Sequence, residues 1–309
     1  GLGDVDSAVR LAAVLLVVTT AGLAAERMAR GRQRFDDAGP PRPLARWTLR
    51  GPAAIAAFAA CALPVAAGLG VPVLMLVRWT WLTLDQVELG TFFLLTARSA
   101  GLAATAAVLV VGSGLLVAYA KRVLDRPWST VLTDLAGTGY AVPGAVIAVG
   151  VFALGAAIDG LAHAAGWVPV DQLLLGGSTV ALVWAYGVRF LAVGLQPIEA
   201  GFARQGPNLD RASRTLGAGP LRTLLTVHAP LMRGTLAGAA TLAFVDVLKE
   251  LPLTLILRPF DFATLATHTY ELASEEMVAA SAPSALLLVS FGLVAVAVAH
   301  RGLLASPRT

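Results

Sequence analysis

Three ionisable residues lie within one otherwise apolar stretch of the chain. The stretch is FVDVLKELPLTLIL, Phe244 to Leu257, and it contains Asp246, Lys249 and Glu250. A charge near the centre of a bilayer costs about 3 kcal/mol or more, so such residues usually face the interior of a helix bundle or a water-filled cavity. They pair there, or they line the path of an ion or substrate.

Two kinds of chemistry are open to this cluster. In the first, Lys249 neutralises one carboxylate and Arg189 the other, and the network fixes helix packing or gates a pathway. The Arg189 side chain can also extend towards Asp246 or to the inner surface. In the second, Asp246 or Glu250 contacts a cationic cargo transiently, because hard cations prefer carboxylate oxygens. A tight metal site is not expected, since a pathway must release what it binds.

Pro252 adds a backbone feature next to these charges. It lacks an N–H and would leave the carbonyl of Leu248 without its helical partner, which predicts a kink. On a continuous helix, Asp246, Lys249 and Glu250 would share one face within an arc of about 100°. The rest of that turn is apolar.

Composition places these residues in a polytopic membrane protein. Of 309 residues, 57% are hydrophobic and 14% charged, against about 45–50% and about 25% in soluble domains. The partner of most of the surface is therefore the lipid bilayer. The basic residues lie in short loops and form no patch interleaved with aromatics, so no nucleic-acid partner is expected. Cys61, the single cysteine, excludes an intrachain disulfide and a cysteine-cluster metal site.

Enzyme motifs are absent or misplaced. The chain contains no GxxxxGK[ST], HExxH or GxSG motif, so neither ATP hydrolysis nor hydrolase chemistry is expected of it. The GLGD of Gly1 to Asp4 matches the GxGD of aspartyl intramembrane proteases, but it precedes the first apolar run and has no second aspartate in a matching helix.

Hydropathy predicts an all-α bundle of about seven transmembrane helices. Strand-like alternation does not compete with these runs. The predicted spans are Ala8 to Ala25, Pro52 to Val77, Ser99 to Ala120, Tyr140 to Ile158, Ser178 to Leu195, Thr235 to Leu257, and Ser284 to His300.

Loop charges orient the bundle. The loop from Glu26 to Gly51 carries seven arginines, and by the positive-inside rule it is cytoplasmic. Successive spans cross the membrane in alternating directions. From this starting point, most of the 23 basic residues and the C-terminus fall on the cytoplasmic side. The other side is the more acidic one.

The loop over residues 196–234 is too long to be a simple connection. Asn208 or Asp210 can cap a first short helix, which Gly217 and Gly219 would end.

A second short helix follows directly. Pro220 can open it at its first turn, its apolar positions recur from Leu221 to His228, and Pro230 closes it. A basic amphipathic helix often lies on lipid. The alternative interpretation is therefore that this loop is an anchor on the membrane surface. The break between the two helices interrupts a continuous lipid-facing stripe, and it therefore favours insertion of this loop into a socket on a partner protein.

At this loop the sequence resembles a known family. It is similar to the EAA loop of permease subunits of binding-protein-dependent ABC importers, whose pattern is Glu-Ala-Ala, three residues, Gly, nine residues, Ile, one residue, Leu-Pro. Arg211, Ser213 and Ala229 depart from the pattern. The likeness is carried by the spacing of five positions: Ala212, Ser213, Gly217, Val227 and Pro230.

The likeness extends along the chain to the ferric-iron branch of these permeases. It is carried by YAVPGAVIAVG (Tyr140 to Gly150), VRFLAVGLQPIEAGF (Val188 to Phe202) and the stretch from Phe244 to Glu276. In that branch two six-helix halves are often fused. The resemblance then implies that residues 52–309 form one half of the type I importer fold, residues 1–25 the last helix of a preceding half, and residues 26–51 a basic cytoplasmic linker.

The resemblance also implies function and partners. The chain would be the permease of an importer in the bacterial inner membrane, carrying ferric iron delivered by a periplasmic binding protein. A separate ATPase dimer would hold ATP and Mg²⁺ and grip the coupling helices of the loop, leaving this chain without a cofactor. The remaining partner is a second permease half or copy. Thiamine, phosphonate and polyamine are alternative cargoes, and a proton-driven secondary transporter is an alternative class.

Overall fold

The computed structural model describes residues 48–124, 126–169 and 173–304, and, before them, the single helical positions 10, 13, 14, 17, 18, 21, 22, 25 and 28. The predicted span from Ala8 to Ala25 and the predicted linker over residues 26–51 lie largely outside these residues. In the described part the chain is helical and contains no strand. The prediction of an all-α bundle is confirmed.

The helices follow one another in a simple order, joined by short connections. They are α1 (Pro52–Gln86), α2 (Leu89–Leu124), α3 (Pro127–Ala136), α4 (Gly144–Ala164), α5 (Thr179–Arg204), α6 (Asn208–Thr215), α7 (Pro220–Leu231), α8 (Arg233–Leu248), α9 (Pro252–Leu257), α10 (Leu265–Ser274) and α11 (Val278–Leu304).

Five helical segments in the described part are long and apolar enough to cross a membrane: α1, α2, α4, α5 and the Val278–Ala299 part of α11. Helices α7 and α8 meet at an angle of 82°, and together they would make a sixth, broken span. The six spans predicted from Pro52 onward therefore agree with the structure to within one.

The predicted span from Thr235 to Leu257 is not one helix. Helix α8 ends at Leu248, and α9 begins at Pro252. Pro252 has no N–H to donate to the Leu248 carbonyl, and the Glu250 Oε1 instead accepts the Leu253 N–H at 3.2 Å near the start of α9. The prediction that the three charges share one helix face is therefore wrong.

The centre of the bundle is formed by α2, α5 and α8, which pack on one another. Small residues let these backbones approach closely, as at Gly194, where an added Cβ would lie 2.7 Å from Val110 Cγ1. Most of α1 is exposed, with Phe58 and Leu74 each more than two-thirds accessible. Such a surface needs lipid or another subunit to cover it.

A buried carboxylate fixes the connection that leads into α5. Both oxygens of Asp159, near the end of α4, accept backbone N–H groups: Leu174 and Leu175 at 3.0 Å and Gly176 at 2.9 Å. Ser178 then caps α5 by accepting the Ala181 N–H at 3.1 Å. These contacts fix where α5 begins. They therefore also set the position of Arg189, which lies on α5.

Gly139 marks a backbone contact that positions the start of α4 against α5. A Cβ added there would lie 2.3 Å from the carbonyl oxygen of Val188. That atom belongs to the backbone and cannot rotate away.

We expect Gly139→Ala to lower the free energy of unfolding by about 1–3 kcal/mol, because α4 must move off α5. Thermal unfolding of the purified protein in detergent measures this. Gly150→Ala is the matched control, since an added Cβ there meets no atom within 4 Å. Equal midpoints for the two variants would contradict the close contact.

Candidate functional site

The connection between α5 and α8 folds into a hairpin of two short helices, α6 and α7, which we call the α6–α7 hairpin. Gly217 follows α6 with a φ of 76°, a left-handed conformation that favours glycine. Gly219 precedes α7 and Pro220 is its first residue. The predicted roles of Gly217 and Pro220 at the helix ends are confirmed. Gly219 was predicted to help end α6, but it is the N-cap residue of α7.

Two details of the predicted loop are wrong. Residues 196–204 continue α5 rather than opening the loop. Neither Asn208 nor Asp210 caps α6, because Asn208 is already helical and the preceding Pro207 offers no side-chain cap. The Asp210 carboxylate instead faces Arg122 and His228.

Asp210 lies between two basic side chains from distant parts of the chain. Its Oδ2 accepts a hydrogen bond from Arg122 Nε at 2.8 Å and lies 2.7 Å from Arg122 Nη2. Its Oδ1 lies 2.9 Å from Nε2 of His228, which is fully buried. The other ring nitrogen of His228 contacts the side-chain oxygen of Gln205. We call Arg122, Asp210 and His228 the hairpin anchor.

Aromatic packing surrounds the anchor. The His228 ring lies 5.6 Å from the Tyr119 ring and 5.4 Å from the Phe202 ring, between centroids. Arg122 also donates to the Phe202 carbonyl at 2.8 Å, and the Tyr119 hydroxyl donates to the Pro220 carbonyl at 3.0 Å. The ends of α2 and α5 therefore hold both helices of the hairpin.

The anchor also sets the charge of Asp210. Burial by itself would raise the pKa of this carboxyl, but the hydrogen bonds from His228 and Arg122 and the positive charge of Arg122 outweigh burial and hold the pKa below its ordinary value of 3.8. Asp210 is thus anionic at neutral pH. The anchor was missed in the sequence because Arg122 is 88 residues from Asp210, and nothing in the spacing pairs them.

The motif residues of the hairpin are divided between its two sides. Ser213 is buried, while Ala212 and Pro230 are exposed and Val227 is half-buried. Just beyond Pro230, Met232 separates α7 from α8 at the 82° bend.

A second charged group lies where α4, α5 and α9 meet. Arg189 Nε is 3.3 Å from Glu250 Oε2, and Arg189 Nη1 donates to the Val142 carbonyl at 3.0 Å. The Glu250 side chain is only 8% exposed. Arg189 Nε is buried and is not aimed at a hydrogen-bond acceptor among the described residues. The contact with Glu250 is therefore an ion pair rather than a hydrogen bond through Nε.

Gly144 makes room for this ion pair. A Cβ at Gly144 would lie 2.7 Å from both Arg189 Nη1 and Glu250 Oε1. The Thr254 hydroxyl donates to the Glu250 carbonyl at 2.7 Å and lies 2.6 Å from the Tyr186 hydroxyl. The backbone of Glu250 is thus also held in place.

Asp246 and Lys249 form a separate pair. Lys249 Nζ is 2.9 Å from Asp246 Oδ1, with the lysine side chain 66% exposed and the aspartate 16%. Each carboxylate of the cluster thus faces its own cation. Arg189 reaches Glu250 rather than Asp246 or the inner surface. Among the described residues, no group of three or more His, Cys, Asp or Glu side chains is placed to hold a metal ion.

Comparison with known proteins relates the chain to import permeases. No family model matches it. It is 28% identical over 229 residues to the Fe(3+)-transport system permease protein FbpB 2 of Haemophilus influenzae (strain ATCC 51907 / DSM 11121 / KW20 / Rd). The match covers 72% of this chain and 42% of that protein, so the chain spans less than half the length of this relative.

Solved structures show the same fold. A bacterial ABC transporter involved in the import of the acidic polysaccharide alginate matches with a TM-score of 0.64 at 12% identity, covering 82% of this chain and 96% of that one. The alginate transporter in complex with an alginate pentasaccharide-bound periplasmic protein matches at 0.58 and 12% identity, covering 81% and 92%. The chain therefore has the fold of ABC importer permeases.

The Arg189–Glu250 pair predicts a specific stability pattern. Glu250→Gln leaves the guanidinium buried without its counter-charge, which typically costs about 3–5 kcal/mol. Arg189→Gln combined with Glu250→Gln removes both charges and should recover most of that loss. Thermal unfolding in detergent tests both variants. Additive losses in the double variant would show that the two side chains do not interact.

Weakening the hairpin anchor should release the hairpin locally from the rest of the bundle. Asp210→Asn removes a charged acceptor worth about 1.5–3 kcal/mol, so amide hydrogen exchange over residues 206–231 should accelerate about ten- to hundredfold. Glu199→Gln is the control, because it breaks an ion pair with Lys121 that is about one-third exposed on each side. Unchanged exchange in Asp210→Asn would contradict the anchor.

Because the pKa of Asp210 is lowered, the anchor is fully formed above the ordinary pKa of 3.8. It is lost only as pH falls through the lower folded value. Protonation of the Asp210 carboxyl should therefore not accelerate wild-type exchange over residues 206–231 at pH 5 or above, once the intrinsic pH dependence of amide exchange is subtracted.

Proposed function

We propose that the chain is the membrane-spanning permease part of a binding-protein-dependent ABC importer. The observation that carries the proposal is the α6–α7 hairpin. It lies where the sequence resembles the EAA loop, it is anchored to α2 and α5, and it meets α8 at 82° within the fold of ABC importer permeases.

The hairpin is suited to transmit force between an ATPase and the bundle. An ATPase dimer that closes on ATP would grip the hairpin, whose motif residues are Ala212, Ser213, Gly217, Val227 and Pro230, through those of them that are exposed. Because Asp210 is bonded to Arg122 on α2 and to His228 on α7, the hairpin and the end of α2 move as one body. The bend at Met232 passes the same motion to α8, and the bundle reorients.

Catalysis of ATP hydrolysis belongs to the ATPase in this proposal. ATP and Mg²⁺ bind there, and this chain supplies no cofactor. Its remaining partners are a second permease half or copy, which would cover exposed helix surface, and a periplasmic substrate-binding protein. The chain crosses the bacterial inner membrane several times, with the hairpin and the C-terminus on the cytoplasmic side.

The broken span supplies a gate for the cargo. Helix α8 carries Asp246, the break carries Lys249 and Glu250, and Pro252 starts α9. The Glu250–Arg189 pair holds this break against α5, so a shift of α8 relative to α5 would separate the two charges. Opening of either ion pair would expose Asp246 or Glu250 for a transient contact with a cation.

Ferric iron is the proposed cargo, because the curated relative is an Fe(3+)-transport permease. The fold by itself does not select a cargo, since the matched structures belong to an importer of alginate. Thiamine, phosphonate and polyamine are the alternatives. A proton-driven secondary transporter would also contain buried ion pairs, but it has no use for an anchored cytoplasmic hairpin.

The proposal is tested with the complete complex isolated from its native membrane and reconstituted into vesicles with its binding protein. We expect the preparation to contain an ATPase, and uptake of radioactive iron from the loaded binding protein to require ATP. Uptake that follows an imposed proton gradient without ATP would contradict the proposal. ATP-dependent uptake of another cargo would retain the permease and reject iron.

The gate is tested in the same assay. Glu250→Gln and Lys249→Ala should abolish uptake while the ATPase still co-purifies, and the double variant Arg189→Gln, Glu250→Gln should also fail to transport. Glu199→Gln is the control. Wild-type uptake by the double variant would make the Arg189–Glu250 pair a structural contact only.

A further inference from the structure

The two sides of the α6–α7 hairpin carry opposite charge. Asp210 is the only acidic residue between positions 205 and 233, and its carboxylate is turned inward to Arg122 and His228. Arg211 and Arg214 on α6 and Arg222 on α7 are exposed. None of these three contributes to an ion pair with another residue of the described part. The outward side is therefore cationic.

Apolar side chains lie among these arginines. Leu216, just after α6, is 85% exposed, and Leu221 and Leu225 on α7 are 63% and 58% exposed. Leu221 and Leu225 are four residues apart and so share one face of α7. Exposed leucines grouped with arginine, at the tip of an element anchored by its other side, are typical of a protein contact.

The inward carboxylate of Asp210 and the outward side chain of Arg211 belong to neighbouring residues in the sequence. In the EAA pattern the position of Arg211 is a glutamate, so the sign of the charge offered to a partner is reversed there. The one carboxylate of the hairpin does not compensate, because both its oxygens are engaged by the anchor. A partner must therefore meet a positive charge at this point.

We infer that the hairpin docks into a groove of the ATPase subunit that has an apolar floor for Leu216, Leu221 and Leu225 and an acidic rim, with an Asp or Glu opposite Arg211. This inference rests on the proposed function and adds the chemistry of the partner surface. Like charges held together at an interface oppose binding. An ATPase with a basic rim at this position is therefore excluded, and the reversed charge makes the pairing selective.

Anionic lipid is the other surface that would attract these arginines. The geometry favours the protein groove. The left-handed Gly217 and the start of α7 at Pro220 separate Leu216, just after α6, from Leu221 and Leu225 on α7, whereas a helix lying on lipid presents one continuous apolar stripe.

The contact is mapped by placing a photo-crosslinking amino acid at position 216 in the full chain, within the native complex. We expect a crosslink to the ATPase, in a peptide with Asp or Glu near the attachment point. Crosslinking to lipid alone, with no ATPase recovered, would overturn the proposed function and this inference together. A crosslink to an ATPase segment lined by Lys or Arg would overturn the inference alone.

The charge is tested by retention of the ATPase on the immobilised permease. Arg211→Glu should reduce retention about tenfold or more at 0.15 M NaCl, and Arg211→Gln should reduce it less. Arg204→Glu is the matched control, because Arg204 is exposed at the end of α5 and lies outside the hairpin. Retention by Arg211→Glu equal to that by Arg204→Glu would refute the acidic rim.

Discussion

The Asp210 carboxylate, held between Arg122 and His228, is the interaction on which the α6–α7 end of the structure depends. It joins α6 to α2 and α7 in one largely buried contact, and the rings of Tyr119 and Phe202 pack against His228. Two short helices joined by glycines would be marginal on their own. The anchor makes them a rigid part of the bundle, and a rigid hairpin can transmit a displacement.

The same rule, that a charge away from water needs a partner, governs the middle of the bundle. Glu250 faces Arg189, and Asp246 faces Lys249. The ion pairs lie where α8 ends at Leu248 and before α9 begins at Pro252, so the charged side chains meet where the helical hydrogen bonding is interrupted. The proposed gate would be closed by electrostatic attraction and would open when the helices that carry the charges separate.

Sequence patterns predicted much of this fold, and their failures have physical causes. Gly217 and Pro220 fixed the shape of the hairpin because their backbone preferences are local. Pro252 signalled a kink, but the full break also needed the Glu250 carboxylate to accept a backbone N–H of α9, a choice that periodicity does not encode. Arg122 and His228 were not predicted to meet Asp210, since contacts between distant helices depend on packing.

The central claim is that an ATPase holds the α6–α7 hairpin, and the most direct measurement is a cryo-EM map of the complex purified from its native membrane. The account predicts ATPase density enclosing the outward side of the hairpin, with Leu216 inside a groove and Asp210 still against Arg122. A map in which the hairpin faces the periplasmic side, or in which the ATPase contacts the bundle elsewhere, would contradict it.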